Sequence, residues 1–341
     1  VVGENADFCL TKYGGSSGVK ARYEVMPIDA IRKIAGNEVK IEYQKGYTSD
    51  WPRNTQVEDS LRIEALQAAG KADLIVFIGG HNKHPCHDSE SYDRSGTKAP
   101  YRQEELLVGL LEEKVPLVLV TMGANQFDMP YSGKIPAMLH AWYGGSESGT
   151  ALAQILFGEV NPSGKLPVTF YRQLNDCGAI AMGEYPGDGK NVRYNEGIFV
   201  GYRYVDKFDV KPQFHFGHGL SYTKFRYGKP IADRMKIHSG DTIKISVPVT
   251  NVGNRSGKEV VQLYVHDEKA SVPRPVKELK GFVKLDLAPG ETRNAVFSIS
   301  ARDLSFYDET ARCWKAEPGA FKLMIGASSS DIKCNLSITL M

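Results

Sequence analysis

Residues 87–94, H-D-S-E-S-Y-D-R, place Asp88, Glu90 and Asp93 beside Arg94, shortly after an apolar run and a glycine pair. Neighbouring carboxyl groups can hold one another's protons and so do acid or base work near neutral pH. His81, His84, Cys86 and His87 lie in or just before the same stretch, and those ligand types suit zinc. Glu90 can therefore be read as a catalytic acid, as a neighbour of a metal site, or as a solvated loop residue. On residue type alone the solvated loop stands first, because glutamates are mostly exposed. The metal reading fails on spacing. The four side chains do not form two two-ligand knuckles, and no partner cluster occurs elsewhere, so no metal is expected.

A second stretch, G-G-S-S-G (14–18), could cradle a phosphate. It lacks the Gly-Lys-Ser/Thr of a P-loop and the spacing of a dinucleotide-binding turn, which counts against phosphate and leaves a structural turn.

The elements that must position these residues follow from two different hydrophobic periods. At 341 residues the chain is long enough for about two domains. Residues 1–170 alternate helical patterns with short, fully apolar runs. L-I-V-F-I (74–78) and P-L-V-L-V-T (116–121) read as buried strands, and 57–69, 103–114 and 148–158 as helices. Leu106, Leu107, Leu110 and Leu111 share a helical face. Strands apolar on both faces, separated by helices, predict a helix-covered, mostly parallel sheet. Residues 230–341 instead alternate strictly. Ile243, Ile245, Val247 and Val249 point one way, as do Val261, Leu263 and Val265, then Ala295, Phe297 and Ile299, then Phe321, Leu323 and Ile325. The turn signals N-V-G-N, A-P-G-E and E-P-G-A separate them, which predicts an antiparallel β-sandwich. Residues 171–229, rich in Gly, Tyr and Pro, read as an extended connector packed on both domains. Trp142, Tyr143 and the tyrosines of 194–204 read mainly as packing.

Composition excludes several classes. Lys plus Arg is 42 against 40 Asp plus Glu, a net charge of +2, so no basic excess points to nucleic acid. No apolar run reaches the ~18 residues of a membrane span, and no signal peptide is present. Five scattered cysteines form no disulfide framework. The compartment is left open, with a periplasmic or secreted one favoured. The opening V-V-G looks like the end of a strand, and the chain reads as a piece of something longer.

Several motifs, in order along the chain, carry a resemblance. They are V-V-G-E-N-A (1–6), G-G-S-S-G-V (14–19), F-G-E-V-N-P-S-G-K-L-P-V-T-F (157–170) and Y-N-E-G-I-F-V-G-Y-R-Y-V-D (194–206). F-H-F-G-H-G-L-S-Y-T-K-F (214–225), P-R-P-V-K-E-L-K-G-F (273–282) and W-K-A-E-P-G-A-F (314–321) follow. Together they resemble the C-terminal half of glycoside hydrolase family 3, of the β-glucosidase type. The resemblance implies an α/β sandwich followed by a fibronectin type III-like domain, which matches the two periods.

The resemblance further implies an exo-acting retaining enzyme without cofactor. Retaining hydrolysis uses two carboxyl groups about 5–5.5 Å apart, a nucleophile and an acid/base. D-S-E-S-Y-D-R resembles the family's acidic E-G-x-D-R loop, with Ser91 where glycine is usual, and so implies Glu90 as acid/base. Asp93 and Arg94 read as an ion pair holding that loop. The G-G-S-S-G turn would touch the sugar through Ser16 or Ser17. The nucleophile would come from a TIM-type barrel, in the same polypeptide or a second chain. Asp50, in T-S-D-W (48–51), superficially resembles the nucleophile motif but lies inside the sandwich domain and reads as a polar loop residue. Expected substrates are β-linked gluco-oligosaccharides or aryl glucosides. The alternatives are xylosides or N-acetylglucosaminides, or a non-catalytic sugar-binding or scaffolding module of the same fold.

Overall fold

The structure, a computed structural model, describes residues 1–12, 15–82 and 96–341. Its contacts divide the chain into two compact units, Val1–Val160 and Asn161–Met341.

In the first unit, helices α1 (Pro27–Ala35) and α2 (Thr55–Ala69) precede strand β1 (Ile75–Gly80). Helix α3 (Gln103–Glu112), strands β2 (Leu117–Met122) and β3 (Ala137–His140), and helix α4 (Ser148–Leu156) follow. The strands form a parallel sheet in the order β1-β2-β3. Ile75 lies opposite Leu117 and Gly80 opposite Met122, while Thr121 lies opposite His140. Val2 adds isolated parallel bridges to Gln44 and Phe77.

β1 and β2 are buried on both faces, which is why they read as unbroken apolar runs. Ile75, Phe77, Leu117 and Leu119 pack with Ala65, Ala69, Leu106 and Leu110 of α2 and α3. The alternate residues Ile78, Val120 and Met122 pack with Ile28, Ile31, Leu152 and Ala153 of α1 and α4. Local signals set the helix ends. Pro27 opens α1, where its missing N–H costs nothing. The Asn54 side-chain oxygen accepts hydrogen bonds from the Gln56 and Val57 amides at 3.1 and 3.3 Å and so caps α2.

The second unit begins with a segment holding short helices α5 (Gly178–Ala181) and α6 (Tyr202–Lys207). A β-sandwich follows, made of β4 (Phe225–Tyr227), β5 (Ile231–Ala232), β6 (Lys236–Ile237), β7 (Thr242–Asn251), β8 (Gly257–Asp267), β9 (Glu278–Leu287) and β10 (Thr292–Ser300). After helix α7 (Ala301–Leu304) come β11 (Phe306–Asp308), β12 (Cys313–Lys315), β13 (Gly319–Gly326) and β14 (Ile332–Leu340). One sheet runs β10-β7-β4 with β5 on β7; the other runs β6-β14-β13-β8-β9. The alternating residues expected to point inward form one core cluster, from Ile243 through Ile325.

Strand β8 departs from simple alternation. Gln262 and Tyr264 face away from that core yet are also buried. The connector covers them. Tyr202 of α6 meets Tyr264 edge-on at 6.0 Å between centroids and stacks on Phe216 at 4.8 Å. The Gln262 amide donates to the Gly217 and Ala327 carbonyls at 3.3 and 2.8 Å. Gly217 has φ +80°, and a Cβ there would come within 2.3 Å of the Gln262 side chain.

Charges pin the same segment. The P-R-P-V-K-E-L-K-G-F stretch supplies Arg274, which pairs with Asp267 at 3.0 Å and Glu278 at 2.7 Å, and donates to the Leu304 carbonyl at 2.8 Å. Glu278 also meets Arg203 of α6 at 3.3 Å, and Lys277 meets Asp206 at 2.6 Å. The side chains of Arg274 and Asp267 are only 7% and 5% exposed. Removing one partner therefore leaves a carboxylate in low dielectric with no counter-charge. Arg274→Ala should lower unfolding stability by about 3–5 kcal/mol. Arg274→Lys should recover only part, since an ammonium cannot reproduce the forked contact. Denaturant unfolding of the two variants checks this; a loss for Arg274→Ala well under 1 kcal/mol would contradict it.

Candidate active site

The carboxyl ends of β1 and β2 are where an open parallel sheet exposes its functional loops. Strand β1 ends on Gly79-Gly80, and the steric reason is direct. Gly80 has φ +109°, and a Cβ on it would sit 2.1 Å from the Met122 carbonyl oxygen. At the end of the ladder, buried side-chain amides satisfy backbone groups of β1 that β2 does not. The Gln103 side chain accepts from the Gly80 N–H at 2.6 Å and donates to the Gly80 carbonyl at 2.8 Å, as a neighbouring strand would. The Asn5 amide donates to the carbonyls of Gly79 and His81 at 3.2 and 2.9 Å. The His81 N–H donates to the Met122 carbonyl at 2.8 Å. Asn82 then donates to Glu4 at 3.4 Å and accepts from the Tyr101 hydroxyl at 3.2 Å.

Behind Asn82 lies a charged group. Glu4, itself buried, accepts from the Ser49 N–H at 2.8 Å and pairs with Lys45 at 2.9 Å. Lys45 also approaches Asp50 at 3.7 Å. The Asp50 carboxylate accepts from the Thr48 hydroxyl at 2.8 Å and is otherwise exposed. Tyr47 stacks on Tyr101 with 6.1 Å between centroids. Burial, with Glu4 nearby, raises the Tyr47 phenol well above its usual range, so it stays neutral, and its oxygen accepts from the Asn5 N–H at 3.3 Å.

The loop that follows β2 completes the edge. Phe127 is buried and meets the His81 ring edge-on at 4.9 Å. Next to it, the Asp128 carboxylate accepts a hydrogen bond from the buried Thr97 hydroxyl, and the Asp128 N–H donates to the Thr97 carbonyl at 2.8 Å. His140, at the end of β3, has its Nδ1 2.9 Å from the Thr121 hydroxyl and carries the Trp142 ring edge-on at 4.3 Å.

Glu90 lies outside the described residues, as do Asp88, Asp93, Arg94, His84, Cys86 and His87. His81 is described and is buried against Phe127. Among the described residues no group of three or more His, Cys, Asp or Glu side chains is placed to hold a metal. Ser16 and Ser17 sit exposed on a single turn at Gly15–Ser17, closed by the Gly18 N–H donating to the Gly15 carbonyl at 3.0 Å. The segment preceding that turn is held by Glu24, which accepts from the Leu10 and Thr11 amides at 2.7 and 3.2 Å and from the Thr11 hydroxyl at 2.6 Å. Burial acts to raise the Glu24 carboxyl, but the hydrogen bonds outweigh it and hold it below its usual range. Reading residues by type did not single out Asn5, Asn82, Gln103, Thr97 or Asp128. Their one visible signal is the polar pair Glu4-Asn5 set between the apolar start of the chain and the next helical pattern.

Comparison with known proteins bears on family and fold. Residues 1–222 match the glycosyl hydrolase family 3 C-terminal domain, and residues 259–329 match a fibronectin type III-like domain. Beta-glucosidase BoGH3A of Bacteroides ovatus is 44% identical over 98% of this chain, which covers 46% of that protein. A beta-xylosidase of Formosa agariphila is 36% identical over 94% of the chain, covering 42% of the relative. The crystal structure of a Bifidobacterium adolescentis GH3 beta-glucosidase superposes with a TM-score of 0.89 at 32% identity, over 99% of this chain and 48% of that one. The chain thus spans about half the length of the relatives it matches.

His140 offers a pH test of the edge. Burial lowers its pKa to about 4, with a backbone hydrogen bond at Gly123 opposing the shift. In the unfolded chain an imidazole takes its proton near pH 6.5. Between those values the unfolded state binds more protons, so this group makes stability fall as pH drops from about 6.5 toward 4. Above about 6.5 the contribution is flat. Titration of the His140 ring followed by NMR should show a midpoint well below 6; a midpoint at 6.5 would remove the burial argument.

Proposed function

The chain belongs to glycosyl hydrolase family 3, and on that premise we propose that it is the acid/base-bearing half of an exo-acting, retaining β-glucosidase-like hydrolase. One observation carries the reading. The D-S-E-S-Y-D-R segment is joined, through His81-Asn82 on one side and Gly96-Thr97 on the other, to the carboxyl edge of the parallel sheet, within the family match. Buried polar side chains converge on both joining points. Glu90 is then the acid that protonates the departing oxygen and, as carboxylate, the base that activates water in the second step. Ser16 and Ser17 donate hydrogen bonds to the sugar. A barrel, from the same polypeptide or a second chain, supplies the nucleophilic carboxylate. The substrate is a β-linked gluco-oligosaccharide or an aryl glucoside, and no metal or organic cofactor takes part. The Formosa agariphila relative, a beta-xylosidase, favours xylosides as the second reading of the sugar.

Two measurements test this. The pure chain, without a barrel, should not turn over a nitrophenyl β-glucoside, because a double displacement needs both carboxyl groups. Substantial turnover would sink the division of labour. In the assembled enzyme, Glu90→Ala should slow disaccharide hydrolysis by about 100-fold or more. It should spare much of the first step with dinitrophenyl glycosides, whose leaving group hardly needs a proton. Azide should then speed turnover, since a small anion attacks without a general base. A well-folded Glu90→Ala enzyme with near-parent disaccharide rates would point instead to a non-catalytic module.

A further inference from the structure

We infer that Asp128 and Thr97 are positioning residues for the acid/base. They fix where the segment carrying Glu90 rejoins the fold. The inference rests on the role proposed for Glu90. It is motivated by a pair of consecutive residues, Phe127 and Asp128, that contact both sides of that segment.

On the outgoing side the chain leaves β1 through His81, and the Phe127 ring packs edge-on against its imidazole at 4.9 Å. On the returning side the chain comes back through Thr97, and Asp128 binds it twice. Its carboxylate accepts a hydrogen bond from the Thr97 hydroxyl, and its N–H donates to the Thr97 carbonyl at 2.8 Å. Phe127 is fixed in turn by Gly123, where a Cβ would fall 2.7 Å from the phenyl ring. Thr97 is buried, so its hydroxyl has little access to water as a substitute partner. A third tie, from the Tyr101 hydroxyl to the Asn82 side chain at 3.2 Å, links the two sides again. Asp128 thus joins the loop after β2 to the returning arm by one side-chain and one backbone bond. Losing the side-chain bond leaves the backbone bond and the fold in place, but frees the arm to shift.

A displacement of about 1 Å in a reacting group can cost on the order of 100-fold in rate. The shift should fall on steps that need Glu90 and not on others. The test uses the assembled enzyme with Thr97→Val, which removes the hydroxyl at nearly constant volume, and Asp128→Ala. Thr97→Ser and Asp128→Asn keep an acceptor-donor pair at the same place. Thermal unfolding of each variant is measured first, and Glu90→Ala is carried in parallel. Thr97→Val and Asp128→Ala should lower kcat on a disaccharide by roughly 10–100-fold while leaving the first step with a dinitrophenyl glycoside within a few-fold of the parent. The two conservative variants should recover most of the disaccharide rate. General loosening of the domain would depress both substrates together. If Glu90→Ala shows its leaving-group selectivity and Thr97→Val does not, the positioning role is wrong and the assignment of Glu90 stands. If Glu90→Ala itself hydrolyses the disaccharide normally, both fall.

Discussion

A parallel strand that ends beside a functional loop leaves backbone groups with nothing to pair against, and in this protein two buried amides supply the missing partner. Gln103 completes Gly80 on both its N–H and its carbonyl. Asn5 bridges the carbonyls of Gly79 and His81. An unmet buried backbone group costs about as much as a lost hydrogen bond. Without these side chains the chain could not leave the sheet at this point and stay dry. The direction of everything after Gly80 is therefore set by residues from the start of the chain and from the first turn of α3.

The same edge gathers groups of very different kinds. The buried Glu4 pairs with Lys45 next to Asn82, while burial keeps His140 neutral to about pH 4. Asn82 follows the end of β1, and His140 is the last residue of β3. Groups set on strands are held more accurately than groups on free loops.

Most of the architecture was legible because burial has a period. β1 and β2 are covered on both faces by helices and read as continuous apolar runs. β7 and β10 face one core and alternate strictly, and Ile243, Ile245, Val247 and Val249 are all fully buried. β3 was not legible: Ala137–His140 is four residues long and only partly covered, so it carries neither pattern. β8 looked half-buried because its outward residues, Gln262 and Tyr264, are polar in type, yet the connector buries them. Of the candidate site, the acidic stretch and the glycine pair stood out by residue type, and Glu90 acquired its role only through resemblance to a family. Asn5 and Gln103 carried no local mark. Their partners lie 74 and 23 residues away, and no short-range pattern records such pairings.

The ion pairs between the connector and β9 have a consequence for how the protein is made. Asp206 and Arg203 leave the ribosome well before Lys277 and Glu278, the charges they pair with. At about 5–20 residues per second the wait is on the order of ten seconds. During that interval the tyrosine-rich connector has no β8 surface to cover, and Tyr202 and Phe216 stay open to water. The segment is therefore most exposed to chaperones, and to mispairing with other nascent chains, before the sandwich closes.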